Sequence, residues 1–171
     1  MNLLITCQRN TELKTIDEIS KLLDEFGDSD SKIFKTQFSG IIKIETALKL
    51  SELLEKCRAK IENEPWELRY CSRIIPIQTI CKTNLIIIKE NIIELISPIK
   101  SDQTYKISLE KRNTELSRNE IISNIANLLD NNVSLETPDW EIIIQILGDK
   151  TGISVVPHNS ILSVNKMKRL D

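Results

Sequence analysis

The run Trp140-Glu141-Ile142-Ile143-Ile144-Gln145-Ile146-Leu147 constrains this chain more than any other stretch. It is heavily apolar and reads as a strand buried on both faces, so its sheet needs cover on either side. Gly148-Asp149-Lys150-Thr151-Gly152 follows it and reads as a hairpin turn whose glycines supply positive φ. The chain then enters a second strand over residues 153–156. Two glycines and a lysine also suit a phosphate cradle, and the two readings are compatible. Exposed turn amides and Lys150 can face a phosphate from a hairpin.

Upstream, the pattern alternates between strand and helix. Residues 3–7 read as an apolar strand. A helix follows from about Thr11 or Thr15 to Phe26, with Ile16, Ile19, Leu23 and Phe26 on one stripe and Gly27 as its stop. Thr15 and Glu18 have capping-box spacing. Residues 32–36 and 41–46 read as a hairpin, residues 49–63 as a helix that Pro65 ends, and residues 66–72 as a strand. This order, strand, helix, strand, strand, helix, strand, is the ferredoxin-like pattern. The second unit starts near Pro76 with a short helical turn over 76–82. A helix capped by Thr83 runs to Ser97, and Tyr105–Arg112 alternates as a strand. Ser117 and Glu120 form a capping box ahead of another helix. Residues 133–136 read as a short strand or extended link, and the tail from Pro157 stays with this unit. The division expected is 1–75 and 76–171, with the two units docked. The fold class expected is α+β.

The 171 residues are 40% hydrophobic and 28% charged, a globular composition. No apolar run is long enough to span a bilayer, and the N-terminus lacks the features of a signal peptide, so a cytoplasmic protein is expected. Cys7, Cys57, Cys71 and Cys81 form no Cys-x-x-Cys pair and read as small buried thiols, with no metal site expected. The formal net charge of −2 argues against tight, independent nucleic-acid binding. Its distribution is uneven, however. Residues 12–30 are acid-rich, while Lys106, Lys111, Arg112, Arg118, Lys166, Lys168 and Arg169 lie in the second half.

No catalytic motif stands out. There is no dinucleotide-binding glycine pattern, no Walker loop and no nucleophile elbow. The single histidine, His158, has no evident partners, and the paired acids Asp17/Glu18 and Asp24/Glu25 fall on the polar face of a helix. The informative polar residues are cationic. Alternation places Arg69, Cys71 and Arg73 on one side of their strand, with Lys82 close behind in sequence. Lys106 and Arg112 fall on the polar side of theirs. Arg118 and Asn119 lie in the first turn of a helix, where free amides favour phosphate. Surface solubility and ion pairing are the competing reading for each of them.

The segment Arg69-Tyr70-Cys71-Ser72-Arg73-Ile74-Ile75-Pro76-Ile77, then Cys81-Lys82-Thr83-Asn84-Leu85, the strand Tyr105–Arg112 and the hairpin over 148–156 together resemble the THUMP family. The similarity is greatest to stand-alone THUMP proteins that act as tRNA adaptors for the RNA cytidine acetyltransferase. That resemblance implies an N-terminal ferredoxin-like domain followed by an α/β THUMP domain. It implies binding of the tRNA acceptor end and a modifying enzyme supplied in trans. It also implies N4-acetylcytidine in the D-stem of serine and leucine tRNAs as the product. On this reading the chain itself is not an enzyme and needs no cofactor, and its RNA-binding residues are Arg69, Arg73, Lys82, Lys106, Lys111, Arg112, Arg118, Asn119 and Lys150. The alternatives are a protein-interaction or regulatory domain, a THUMP subunit for thiolation or methylation, and a small enzyme using Cys71 or Cys81.

Overall fold

The computed structural model describes residues 2–169. Two compact units divide the chain: one runs up to Pro76 and takes in the tail from Ser160, the other spans Ile77–Asn159. In chain order the first unit contains β1 (Leu3–Cys7), α1 (Glu12–Glu25), β2 (Lys32–Lys35), β3 (Ile41–Glu45), α2 (Leu50–Asn63), a 3-10 turn (Pro65–Glu67) and β4 (Cys71–Pro76). The second contains β5 (Thr79–Lys82), α3 (Leu85–Leu95), β6 (Tyr105–Arg112), α4 (Arg118–Ala126), β7 (Trp140–Leu147) and β8 (Lys150–Pro157). The tail adds β9 (Leu162–Ser163) and α5 (Val164–Lys168). The class is α+β, with two sheets. No helix among the described residues is long and apolar enough to cross a membrane.

The first sheet has the order β2-β3-β1-β4-β9. Its first four strands follow the split βαβ arrangement, and every pairing is antiparallel. Leu3, Ile5, Ile42, Ile44 and Ile74 of the sheet bury against Ile19, Leu22 and Leu23 of α1 and Leu53, Cys57 and Ile61 of α2. Each fully buried aliphatic side chain contributes about 1.5–3 kcal/mol. α1 ends in a Schellman motif: Gly27, at φ +98°, donates to Asp24, and Asp28 donates to the Leu23 carbonyl. Thr15 is not its cap. Its hydroxyl bonds back to the Thr11 carbonyl from inside the helix.

Three boundaries differ from the expected ones. The strand placed at 66–72 begins only at Cys71, because Pro65 opens a 3-10 turn and the amides of Arg69, Tyr70 and Cys71 donate to the Glu18 carboxylate, not to a neighbouring strand. The helical turn placed at 76–82 is a strand, β5, paired to β8. The tail assigned to the second unit belongs to the first. Leu162 and Ser163 pair with Ile74 and Arg73, and Val164 enters that core.

The second sheet has the order β5-β8-β7-β6. β6 and β7 are parallel, joined through α4, and the other pairs are antiparallel. Alternation places Tyr105, Leu109, Ile142, Ile144, Ile146, Ile153 and Val155 against Ile88, Ile92, Ile121 and Ile125 of the two helices. Ile143, Gln145 and Ser154 of the reverse face are also buried, so β7 is covered on both sides. Of the two turn glycines, only Gly148 has positive φ, at +63°. Gly152 lies within β8, where a Cβ would come within 2.9 Å of Ile77 Cδ1.

Candidate nucleic-acid interface

Register brings the cations of the second unit together. Arg112 pairs with Leu147, Leu147 with Lys150, and Lys150 with Lys82, so one row crosses the sheet from edge to edge. With strands about 4.8 Å apart, Lys82 and Lys150 are neighbours and Arg112 lies about 10 Å beyond Lys150. The row is on the face opposite α3 and α4. It marks the C-terminal ends of the parallel strands β6 and β7, the end where open α/β sheets place their ligands. The Gly148 amide donates to the Arg112 carbonyl at 2.9 Å, which holds the hairpin turn beside the end of β6.

Both helices of this unit start at the same end. Asn84 caps α3, its carboxamide oxygen accepting from the amides of Ile86 (3.0 Å) and Ile87 (3.2 Å). Thr83, the expected cap, instead meets Thr151 hydroxyl to hydroxyl at 2.8 Å, and its amide donates to the Asp149 carbonyl. The start of α3 is thereby tied to the turn. Ser117 caps α4 by accepting from the Glu120 amide, as its spacing predicts. Arg118 and Asn119 open that helix, and one Arg118 guanidinium nitrogen donates to the Leu109 carbonyl at 2.8 Å. Lys111 donates to the Leu116 carbonyl at 2.9 Å. Two helix N-termini, each with about half a positive charge, therefore add to the cations here.

Six of the nine expected residues thus meet at one end of one sheet: Lys82, Lys111, Arg112, Arg118, Asn119 and Lys150. Lys82 and Lys150 are exposed. Arg112 is half-buried, braced by Gln145 at 3.1 Å and Glu110 at 3.0 Å. Lys106 lies elsewhere. It starts the same strand, about 20 Å away at about 3.3 Å per residue, and its ammonium sits 3.7 Å from the buried Glu141, which also meets His158 Nδ1 at 2.9 Å. Arg69 and Arg73 belong to the first unit. They do not share a strand, because β4 begins only at Cys71, and β1 and β4 shift register between Thr6 and Cys7. That irregularity turns Cys71 into the core while Arg73 pairs with Thr6 and Ser163. The expectation of Arg69, Cys71 and Arg73 on one side is corrected accordingly.

The thiols are poorly suited to nucleophilic work. Burial pushes the Cys57 thiol up to about 12 and the Cys71 thiol well above its ordinary value, and it raises Cys81 too. The missed feature of the site is β5. The alternation Thr79-Ile80-Cys81-Lys82 was its signal, and without it Lys82 has no partner in register.

No curated protein matches the chain. Among solved structures, PH1313 from Pyrococcus horikoshii Ot3 aligns with a TM-score of 0.68 at 16% identity, covering 91% of this chain and 54% of that one. A predicted N6-adenine-specific DNA methylase from Listeria monocytogenes aligns at 0.55 and 16% identity, over 90% of this chain and 39% of its own. A 4-thiouridine synthetase in complex with RNA and ATP aligns at 0.57 and 10% identity, over 94% and 44%. The chain spans about half the length of the first of these proteins and less of the others. The expectation of a protein that is not an enzyme is corrected here: the fold is shared with enzymes, a methylase and a synthetase among them. At these identities the likeness is one of fold and transfers no residue's role. Residues 82–156, from the lysine that starts the cationic row to the end of the apolar hairpin, match the family model of the THUMP domain, so the second unit of this chain carries a THUMP domain.

Proposed function

We propose that this chain binds tRNA by its acceptor end and presents it to a modifying centre. The observation that carries the reading is the row Lys82, Lys150 and Arg112, with two helix N-termini behind it, on the THUMP domain. Phosphate contacts from this row position the RNA, and the dipoles of α3 and α4 add positive potential at that end. Lys111, Arg118 and Asn119 border the contact. Arg69 and Arg73 are proposed as separate contacts on the first unit, and Lys106, paired with Glu141 at the other end of β6, lies outside the row. The fold shared with a 4-thiouridine synthetase bound to RNA supports the RNA reading.

Within that reading, the modification served is N4-acetylation of cytidine in the D-stem of serine and leucine tRNAs. The partner is an RNA cytidine acetyltransferase in the cytoplasm. The resemblance carried by Arg69–Ile77 and Cys81–Leu85 supports this branch, whereas the fold shared with the synthetase favours thiolation as the second reading. Mass spectrometry of tRNA nucleosides from cells lacking the protein separates them. Loss of N4-acetylcytidine selects the first and loss of 4-thiouridine the second, while an unchanged nucleoside profile refutes both.

A further inference from the structure

The first unit contains a groove of about 370 Å³ between α1 and the segment that links the 3-10 turn to β4. That volume is in the range of about 300–1,000 Å³ expected of small-molecule clefts. Two of the chain's seven aromatic residues line it. Trp66 is 60% exposed, a high value for the largest side chain in a protein with so few aromatics. Tyr70 is half-buried and carries the Lys14 ammonium over its ring, 5.3 Å from the centroid.

The charges of the groove sort into spent and available. Glu18 is spent on the amides of residues 69–71, which fixes the strand-entry segment to α1. Lys60 is spent on Glu25 at 2.8 Å and on Glu64, which hold its ammonium above the usual lysine range. Lys21 and Arg69 are exposed lining residues that form no ion pair among the described residues. Asp17 and Glu67 line the groove as acceptors. A flat apolar ring, two free cations and two free carboxylates, within one small cleft, match the parts of one unpaired nucleotide. The ring stacks a base, the cations meet its phosphate, and the carboxylates accept from an exocyclic amine.

We infer that this groove is a binding site for a single unpaired, amine-bearing nucleotide of an RNA strand, with Trp66 as the stacking platform and Arg69 and Lys21 on the phosphate. The site is separate from the cationic row of the second unit and uses other residues. Adenine, cytosine and guanine meet the requirement, and uracil does not.

The test is a titration of the full chain with short oligocytidylate and oligouridylate, read by tryptophan fluorescence. The chain has two tryptophans, and the Trp140 indole N–H is already bonded to Gln103 at 2.9 Å. Oligocytidylate is expected to quench the wild type, and the quench is expected to vanish in Trp66→Phe, which still binds. By anisotropy, Trp66→Ala is expected to lose about 5- to 100-fold in oligocytidylate affinity, the range for removing one base–aromatic stack. Arg69→Ala is expected to weaken binding and flatten its salt dependence. Absence of a quench, a quench that survives in Trp66→Phe, or a Trp66→Ala affinity within twofold of wild type overturns the site. Equal binding of oligouridylate overturns the role of Asp17 and Glu67. The double variant Lys82→Ala/Lys150→Ala keeps the two readings apart. It is expected to lose tRNA affinity and keep the oligocytidylate quench, so tRNA binding without a quench defeats only this inference.

Discussion

Replacing Lys82 and Lys150 together by alanine tests the cationic row most directly. The two face each other across β5 and β8, both exposed, so each is free to neutralise one phosphate. Each lost phosphate contact lowers the slope of log K against log salt by about 0.7 for a single strand and about 0.9 for a duplex. The pair therefore lowers it by about 1.4–1.8. At about 0.1 M salt this is a loss of roughly 25- to 60-fold in tRNA affinity, which shrinks to nothing as salt approaches about 1 M. Like charges directly opposite in a sheet repel, so the same double variant is expected to gain up to about 1 kcal/mol of stability. Fluorescence anisotropy with labelled tRNA across a salt series measures the first effect, and urea unfolding the second. Superimposable salt lines would place the RNA elsewhere. Parallel lines displaced by a constant factor would show that shape, not charge, had been lost. Either result refutes the reasoning.

Further perturbations address the scaffold. Asp28 accepts from the Thr46 hydroxyl and from the amides of Ala47 (3.0 Å) and Asp30 (3.2 Å), and chiefly the Thr46 bond holds its carboxyl below the usual range. A carboxyl depressed in the folded state stabilises above its unfolded value of about 3.9, and that contribution is lost as pH falls through the folded value. Urea midpoints between pH 7 and pH 3 are expected to fall less steeply at the acid end for Asp28→Asn, and Asp28→Ala is expected to cost about 1–3 kcal/mol at neutral pH. Gly152→Ala is expected to cost about 1–3 kcal/mol by pressing on Ile77, with part of the loss recovered in combination with Ile77→Val. Gly40→Ala is expected to cost more in the same unfolding assay, because at φ +74° its Cβ would meet the Cys7 carbonyl oxygen, which is backbone and cannot yield. In timed alkylation at pH 8, Cys57 and Cys71 are expected to react only as fast as the protein unfolds, and Cys7 and Cys81 before them. Rapid labelling of all four would refute the burial argument.

The long periodic elements were legible from the residues. The stripe Ile16, Ile19, Leu23 and Phe26, the alternation of Tyr105–Arg112 and the Ser117 cap are local patterns, and local physics decides them. What was hidden depends on partners distant in sequence. Residues 66–70 have the look of a strand, but Glu18, about fifty positions earlier, draws away the amides that would have bonded a neighbour. β9 is two residues long and is a strand only because β4 is beside it. The same holds for the site. Arg112 was identifiable as a strand end and Lys150 only as a turn residue, and their assembly with Lys82 depends on register, which is set by the hairpin and by the edge strand β5.

Net charge misled for a related reason, because a sum discards position. The second unit holds eight basic and eleven acidic side chains, so the THUMP domain is itself formally at −3, and the basic tail residues Lys166, Lys168 and Arg169 lie in the other unit. Its charges are nonetheless unevenly placed along the strands. Lys82, Lys111, Arg112, Arg118 and Lys150 stand at the C-terminal ends of β6 and β7 with Glu110, Glu115, Glu120 and Asp149, whereas Asp102, Asp130, Glu136, Asp139 and Glu141 at the other end are offset only by Lys100 and Lys106. α3 and α4 both start at the cationic end, so their dipoles point the same way as the side-chain asymmetry. At about 0.15 M salt, fields fade over about 8 Å, shorter than the roughly 20 Å that separates the two ends. A phosphate at the row therefore meets a local balance in which cations and helix termini outweigh Glu110 and Asp149, and it is screened from the acids at the far end. A unit that is acidic overall can hold RNA at one end, and the distant acids weaken nonspecific attraction everywhere else on its surface.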